Sequence, residues 1–217
     1  MTLTLLIGNK AYSSWSLRPW LLLKQLDLPF EEVVTPLYRP DSKEKLLAFS
    51  PAGKVPALRH GDSLVWDSLS IIEYLAETFP DRAVWPRDAV ARALARSLCA
   101  EMHSGFTALR SAYPTNFRRP PAAIAPPGPE AAADIARIDA AWRDARGRFG
   151  AEGPFLFGAF SAADAMFAPV VCRFSTYRLV ISIEAQNYAR AIEALPAYRE
   201  WVESGRAEPW VLEKFEK

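Results

Sequence analysis

The chain predicts an α/β N-terminal domain followed by an all-α C-terminal domain, on three observations. Strand and helix signals alternate through the first eighty residues. Strand signals then cease after Phe79-Pro80-Asp81, and the later apolar patterns have helical spacing. With 217 residues, half of them hydrophobic, the chain is long enough for ordinary buried cores without staples. The expected domains are residues 1–80 and 86–217.

Leu3 to Ile7, a short apolar run, is the first strand. A helix from about Ser16 to Leu26 and a second strand from Glu31 to Leu37 complete a βαβ unit. Pro19 belongs to the first turn of that helix, where its missing N–H would lack a partner anyway, so it places the start at Ser14 to Ser16. Asp41 to Ala48 suits a short helix, and Val55 to Arg59 and Ser63 to Trp66 flank His60-Gly61-Asp62 as a hairpin. Ser68 to Thr78 is a helix with Ile71, Ile72 and Leu75 at helical spacing.

In the second domain Val90, Leu94, Leu98, Met102, Phe106, Leu109 and Tyr113 form one stripe, which predicts a single long helix. Six prolines from Pro114 to Pro129 forbid its continuation and predict an extended loop, and long loops inside compact domains are often functional. Helices resume around Ile135, Ile138 and Trp142, from Ala162 to about Tyr177, and around Tyr198, Trp201 and Val202. Ser161 with Asp164 three residues on has the form of a capping box, and capping alone explains both residues.

Composition excludes several functions. With 26 basic against 25 acidic residues, net charge does not call for nucleic acid or an anionic membrane, so an acidic ligand needs a local site. No segment approaches the roughly 18 apolar residues of a membrane span, and no signal-peptide pattern opens the chain, so a soluble, cytoplasmic protein is expected. Cys99 and Cys172 make neither a disulfide framework nor a CxxC pair, which fits a reducing compartment. No metal is expected.

Three segments carry chemistry. Tyr12-Ser13-Ser14-Trp15-Ser16-Leu17-Arg18 places three serine hydroxyls at a strand-to-helix turn, where they serve either as ordinary caps or to stabilise an anion. In Ser50 to Leu58 a proline, Pro56, falls at the mouth of a strand. A cis Val55-Pro56 bond turns the Val55 backbone groups outward to pair with a bound peptide, whereas a trans proline merely opens an edge strand. Asp67 and Ser68 precede a helix, where they either cap it or meet the ammonium and carboxylate of an α-amino acid end.

Together these residues resemble the glutathione transferase family over the whole chain, a thioredoxin-like domain to about residue 80 and then a helical domain. The resemblance implies glutathione as co-substrate, with Val55, beside Pro56, pairing with its cysteinyl backbone and Asp67 and Ser68 holding its γ-glutamyl end. It also implies that a hydroxyl at the start of the first helix donates to the glutathione sulfur. By the zeta-like pattern Ser-Ser-Cys-Ser, an aromatic and Arg, that residue maps to Ser13, with Ser14 the neighbouring alternative and Tyr12 a third hydroxyl close by. Lowering a thiol pKa from about 8.5 to about 6.5 takes roughly 2.7 kcal/mol. One or two hydrogen bonds to a charged acceptor, about 1.5–3 kcal/mol each, suffice. Ser161 to Asp164 matches a folding motif of the family's helical domain. Trp15 stands where zeta enzymes carry Cys, and Leu17 where they carry an aromatic, which disfavours the zeta cis–trans isomerisation. Both cysteines lie in the second domain, which disfavours thiol exchange through a protein cysteine.

His103, Phe106 and Arg110 share a face of the expected long helix. The resemblance implies that this helix lines the electrophile pocket, together with Tyr12 and Trp15. An Arg and a His there favour an acidic or polarised small-molecule electrophile; a surface His and an interdomain Arg are the alternative. Asn116, Phe117, Arg118 and Arg119 suit a polar lid. Arg18, Arg39, Lys43 and Lys54 are candidates for the glycyl carboxylate, Lys54 foremost because it adjoins Val55. Trp210 and Phe215 either cover the pocket or pack on the helices. The resemblance implies a homodimeric transferase conjugating glutathione to an electrophile, in detoxification. A glutathione-dependent isomerase and a non-catalytic glutathione-binding or interaction module are alternatives on the same fold.

Overall fold

The computed structural model describes residues 2–216. Its first half runs β1 (Leu3–Ile7), α1 (Ser14–Gln25), β2 (Phe30–Val34), α2 (Ser42–Phe49), β3 (Ala57–His60), β4 (Ser63–Val65) and α3 (Ser68–Thr78). The sheet has the order β2-β1-β3-β4, with β1 parallel to β2 and antiparallel to β3, so that Leu5 stands between Glu32 and Leu58. A central strand is covered on both faces, which is why β1 is apolar at every position but Thr4. Leu3, Leu5 and Ile7 enter the main core, while Leu6 packs with Leu46 and Ala57 under α2.

The second half contains α4 (Ala89–Ser104), α5 (Thr107–Ala112), α6 (Pro129–Phe149), α7 (Ala162–Thr176), α8 (Ile183–Ala194) and α9 (Pro196–Ala207). The two halves share one apolar core, because α1 packs on α3 from its own half and on α7 and α9 from the other. Trp20 of α1 meets Trp201 of α9 edge-on at 5.1 Å. That burial fixes α1 against the helical half and turns its N-terminus toward the gap between them. Among the described residues no helix is long and apolar enough to cross a membrane.

The single helix expected from Val90 to Tyr113 is two. Phe106 has φ +61, in the left-handed region, and separates α4 from α5. Gly105 ends α4, donating its N–H to Glu101 O at 2.8 Å, and a Cβ there would lie 2.9 Å from that carbonyl. Of the expected stripe in α4, Leu98 and Met102 are buried and Leu94 is partly so, but Val90 is exposed, and Ala91, Ala95 and Cys99 share the buried face. Helix α8 was not expected at all, although Ser182, whose hydroxyl accepts from Ala185 N–H, marks its start.

The capping box of α7 forms as its sequence suggests. Asp164 Oδ2 accepts from Ser161 N–H at 2.8 Å and from the Ser161 hydroxyl at 3.1 Å, and Oδ1 accepts from Leu156 N–H at 3.1 Å. Burial pushes the Asp164 carboxyl up to about 6 against these hydrogen bonds.

Candidate active site

A cavity of about 840 Å³ opens between the two halves. One wall belongs to the α/β half and is built from the starts of α1, β3 and α3. Ser13 caps α1, its Oγ accepting from Ser16 N–H at 3.3 Å and lying 2.7 Å from Ser16 Oγ. Ser16 is wholly buried, and its Oγ accepts from Gly8 N–H at 3.0 Å, so the end of β1 is tied to the start of α1. Ser14, the first residue of the helix, also lines the cavity, and its hydroxyl has no hydrogen-bond partner among the described residues. No acidic side chain occupies the first turn of α1, leaving the positive end of the helix uncompensated on this wall.

Beside the serines, the Val55-Pro56 peptide bond is cis and both residues line the cavity. The preceding turn uses Gly53 at φ +57, where a Cβ would press on Leu47 at 3.0 Å. At the start of α3, Ser68 is fully buried on the cavity wall with its hydroxyl unpartnered. Asp67 Oδ1 caps α3, accepting from Leu69 N–H at 3.0 Å and Ser70 N–H at 3.3 Å, while Oδ2 is bonded to His103 Nε2. Burial alone would raise the Asp67 pKa, but the His103 bond and the two backbone N–H groups hold it below the usual carboxylate range.

The opposite wall comes from the helical half, with Arg110 of α5, Pro114 and Thr115 just after it, and Arg173 of α7. Arg110 donates to the carbonyls of Gly105 and Met102, which end α4, and Arg173 donates to Tyr113 O at 2.9 Å and Pro169 O at 3.2 Å. Burial lowers the Arg173 pKa to about 10, with nearby Arg110 adding to the effect. Trp15 lies between the walls, 4.3 Å from the Arg18 guanidinium and 4.8 Å from that of Arg110. Phe215 closes one side, its ring 5.6 Å from that of Tyr12.

The family model described as glutathione S-transferase, N-terminal domain, matches residues 12–78, and the C-terminal domain model matches residues 121–204. The chain belongs to the glutathione S-transferase family. It is 38% identical over 98 residues to a Caenorhabditis elegans protein named probable maleylacetoacetate isomerase, a match covering 45% of each chain. It is 42% identical over 82 residues to glutathione S-transferase 1 of Dianthus caryophyllus, covering 37% of this chain and 36% of that one. The chain thus spans less than half the length of these two curated relatives. Among solved structures, a glutathione transferase homologue from Burkholderia gl BGR1 with bound glutathione superposes with a TM-score of 0.70 at 26% identity, covering 96% of this chain and 100% of that one.

Against this transferase fold the site residues expected from sequence divide. Tyr12, Ser13, Ser14, Trp15, Lys54, Val55, Pro56, Asp67, Ser68 and Arg110 meet at one cavity, as do Arg39, Lys43 and Phe215. His103 and Phe106 do not line it. The break at Gly105 turns Phe106 into the core, and His103 is drawn to Asp67 and to the edge of the Trp15 ring at 5.3 Å. Arg18, expected near the glycyl carboxylate, is completely buried beneath Trp15 and off the cavity wall. Asn116 to Arg119 form no lid over the cavity: Asn116 Oδ1 accepts from the N–H groups of Arg118 and Arg119, and Phe117 packs on Tyr198. Trp210 does not reach it either. Sequence reasoning missed Arg173 and Thr115; Arg173 sits nine residues after Asp164 on the capped helix, a spacing with no signature of its own.

Proposed function

We propose that the protein is a glutathione transferase that binds glutathione on the wall formed by residues 1–80 and an electrophile against the helical residues 86–217. Three segments distant in sequence support this by meeting on one cavity: the serines at the bare N-terminus of α1, Val55 beside Pro56, and the buried, unpartnered hydroxyl of Ser68. Ser13 Oγ receives hydrogen bonds from the backbone N–H and, with Ser16 as donor, the hydroxyl of Ser16, so its own proton is left to donate to sulfur. Accepting two bonds polarises that O–H and strengthens the one it donates. Ser14 stands next to it as a second donor. The thiolate attacks carbon and a C–S bond forms. In addition to an activated alkene the π bond breaks and the thiol proton ends on the neighbouring carbon; in displacement the leaving group departs with the bonding pair and the proton passes to solvent. Val55 pairs with the cysteinyl backbone, Ser68 and the α3 N-terminus hold the γ-glutamyl carboxylate, and the rim cations Lys54, Lys43 and Arg39 meet the glycyl carboxylate. Asp67 receives the γ-glutamyl ammonium on the side not taken by His103.

The protein acts as a homodimer in the cytoplasm, in the detoxification of small electrophiles, without a metal. Among the described residues no group of three or more His, Cys, Asp or Glu is placed to hold one. Calorimetric titration with glutathione tests the reading: binding below millimolar ligand is expected, and its absence would leave an interaction module on the same fold. The likeness to a probable maleylacetoacetate isomerase favours a second reading, glutathione-dependent cis–trans isomerisation. Incubation with a cis-enone acid separates the two, since isomerisation regenerates glutathione whereas conjugation consumes it.

A further inference from the structure

The cavity is lined by five cationic side chains and one acidic one, and the cations are of two kinds. Arg39, Lys43 and Lys54 are exposed at the rim, where water screens them. Arg173 is 3% exposed, and Arg110 is half-buried. Behind them Arg18 is fully buried, with no hydrogen bond to any of its three guanidinium nitrogens, against the face of Trp15. None of these three arginines forms a salt bridge among the described residues. Asp134, the acidic group that Arg110 feels, accepts from Leu109 N–H, and Asp67 is taken by His103. Buried charge without a counter-ion is costly, and burial together with repulsion from Arg110 and from Arg173 pushes the Arg18 pKa well down. Thr115 adds a further group on the same wall, with Oγ1 buried and unpartnered.

Glutathione does not satisfy this wall. On the reading above its glycyl carboxylate goes to the rim cations and its γ-glutamyl carboxylate to Ser68, both on the α/β side. We propose that Arg110, Arg173 and Thr115 hold a carboxylate on the second substrate, so that the enzyme selects acidic electrophiles over neutral ones. Backbone carbonyls take Nε and Nη2 of Arg110 and Nε and Nη1 of Arg173, which leaves Nη1 of Arg110 and Nη2 of Arg173 to donate charge-assisted hydrogen bonds to a carboxylate, and the threonine hydroxyl supplies one more.

The inference rests on glutathione conjugation and is tested with one pair of electrophiles, an aryl enone bearing a carboxylate and the methyl ester of the same compound. The expected result is a kcat/KM for the acid about tenfold or more above that for the ester, the discrimination one lost charge-assisted bond produces. In Arg110→Gln and Thr115→Val the acid-to-ester ratio falls, most in the arginine variant, and in Arg173→Lys it falls less than in Arg173→Met. Because the ratio cancels the amount of folded enzyme, it survives any loss of stability from untying the carbonyls these arginines hold. Normal turnover of the ester with no preference for the acid, or a ratio that none of the four variants moves, overturns the inference and leaves the transferase reading standing. Failure to bind glutathione or to turn over either compound overturns both.

Discussion

Two serines each open a helix on this molecule, Ser13 on α1 and Ser161 on α7, and what lies in front of them differs. Ser161 faces protein. Its N–H and hydroxyl both meet Asp164, which is itself fully buried in the first turn. Ser13 faces the cavity, with no acid in the first turn and the unpartnered hydroxyl of Ser14 beside it. The same residue type at the same helical position thus completes a fold in one place and leaves a donor for a ligand in the other. The macrodipole is answered by a carboxylate of the chain at α7 and is left for an incoming anion at α1.

The sharpest way to break this comparison is at Asp164. Asp164→Ala removes the acceptor for two buried N–H groups and one hydroxyl, and at about 1–3 kcal/mol for each buried donor left unsatisfied the loss is about 3 kcal/mol or more. For a chain of this size calorimetry should then show a midpoint lower by on the order of 10 °C. Glutathione affinity of the folded variant should stay within about twofold of wild type, because the box is remote from the cavity wall. A loss under about 1 kcal/mol would mean that the box is as dispensable as an ordinary cap.

A second effect follows from the pH at which the box is charged. Burial raises the Asp164 pKa to about 6 from an ordinary 3.8, so the folded chain binds this proton more tightly than the unfolded one. The contribution to stability is fully present below about pH 4 and is lost as pH rises through about 6, roughly 3 kcal/mol in all. Denaturant midpoints taken from pH 4 to pH 7 should show this decline in wild type and a flatter profile in Asp164→Asn.

Ser13→Ala should reverse the balance of the two readouts. Unfolding free energy changes by about 1 kcal/mol, the worth of a cap. The conjugation rate with saturating glutathione falls about 10- to 100-fold, as expected for one hydrogen bond to a thiolate. If Ser14→Ala shows that loss and Ser13→Ala does not, the sulfur sits one residue further along α1, against the donor whose hydroxyl is already free.

How much of this was legible in the sequence depended on how local each signal was. The succession of strands and helices through the first half, α3 with its exact bounds, and the α7 box follow from short-range patterns: apolar runs, turn residues and a Ser with an acid three residues on. The wall bearing the serines, Val55 and Ser68 was legible for the same reason, since each position is set by a turn or a helix start. The helical wall was not. A stripe of spacings from Val90 to Tyr113 continues smoothly through Gly105, and only that glycine marks the break that carries Arg110 to the cavity and Phe106 away from it. Arg173 and Thr115 come to face Arg110 through packing between helices far apart in the chain, which no local spacing encodes.

The smallest expected effect concerns Tyr12, the third hydroxyl near the start of α1. Its O–H donates to Glu216 Oε1 at 2.5 Å and its oxygen accepts from Leu212 N–H at 3.2 Å, so although the side chain lines the cavity its hydroxyl is committed to the C-terminal segment. Burial first, and the bond to Glu216 second, push its pKa up to about 12, which keeps the phenol protonated at neutral pH and its proton engaged. Tyr12→Phe should therefore slow conjugation by no more than about threefold, less than 1 kcal/mol of barrier. Its mark should instead be a looser C-terminal segment, read as faster amide exchange around Leu212 to Phe215, with Asn116 Nδ2 still holding Phe215 O at 3.0 Å. A loss as deep as that of Ser13→Ala would place the tyrosine against the sulfur, and Ser13 would then be no different in kind from Ser161.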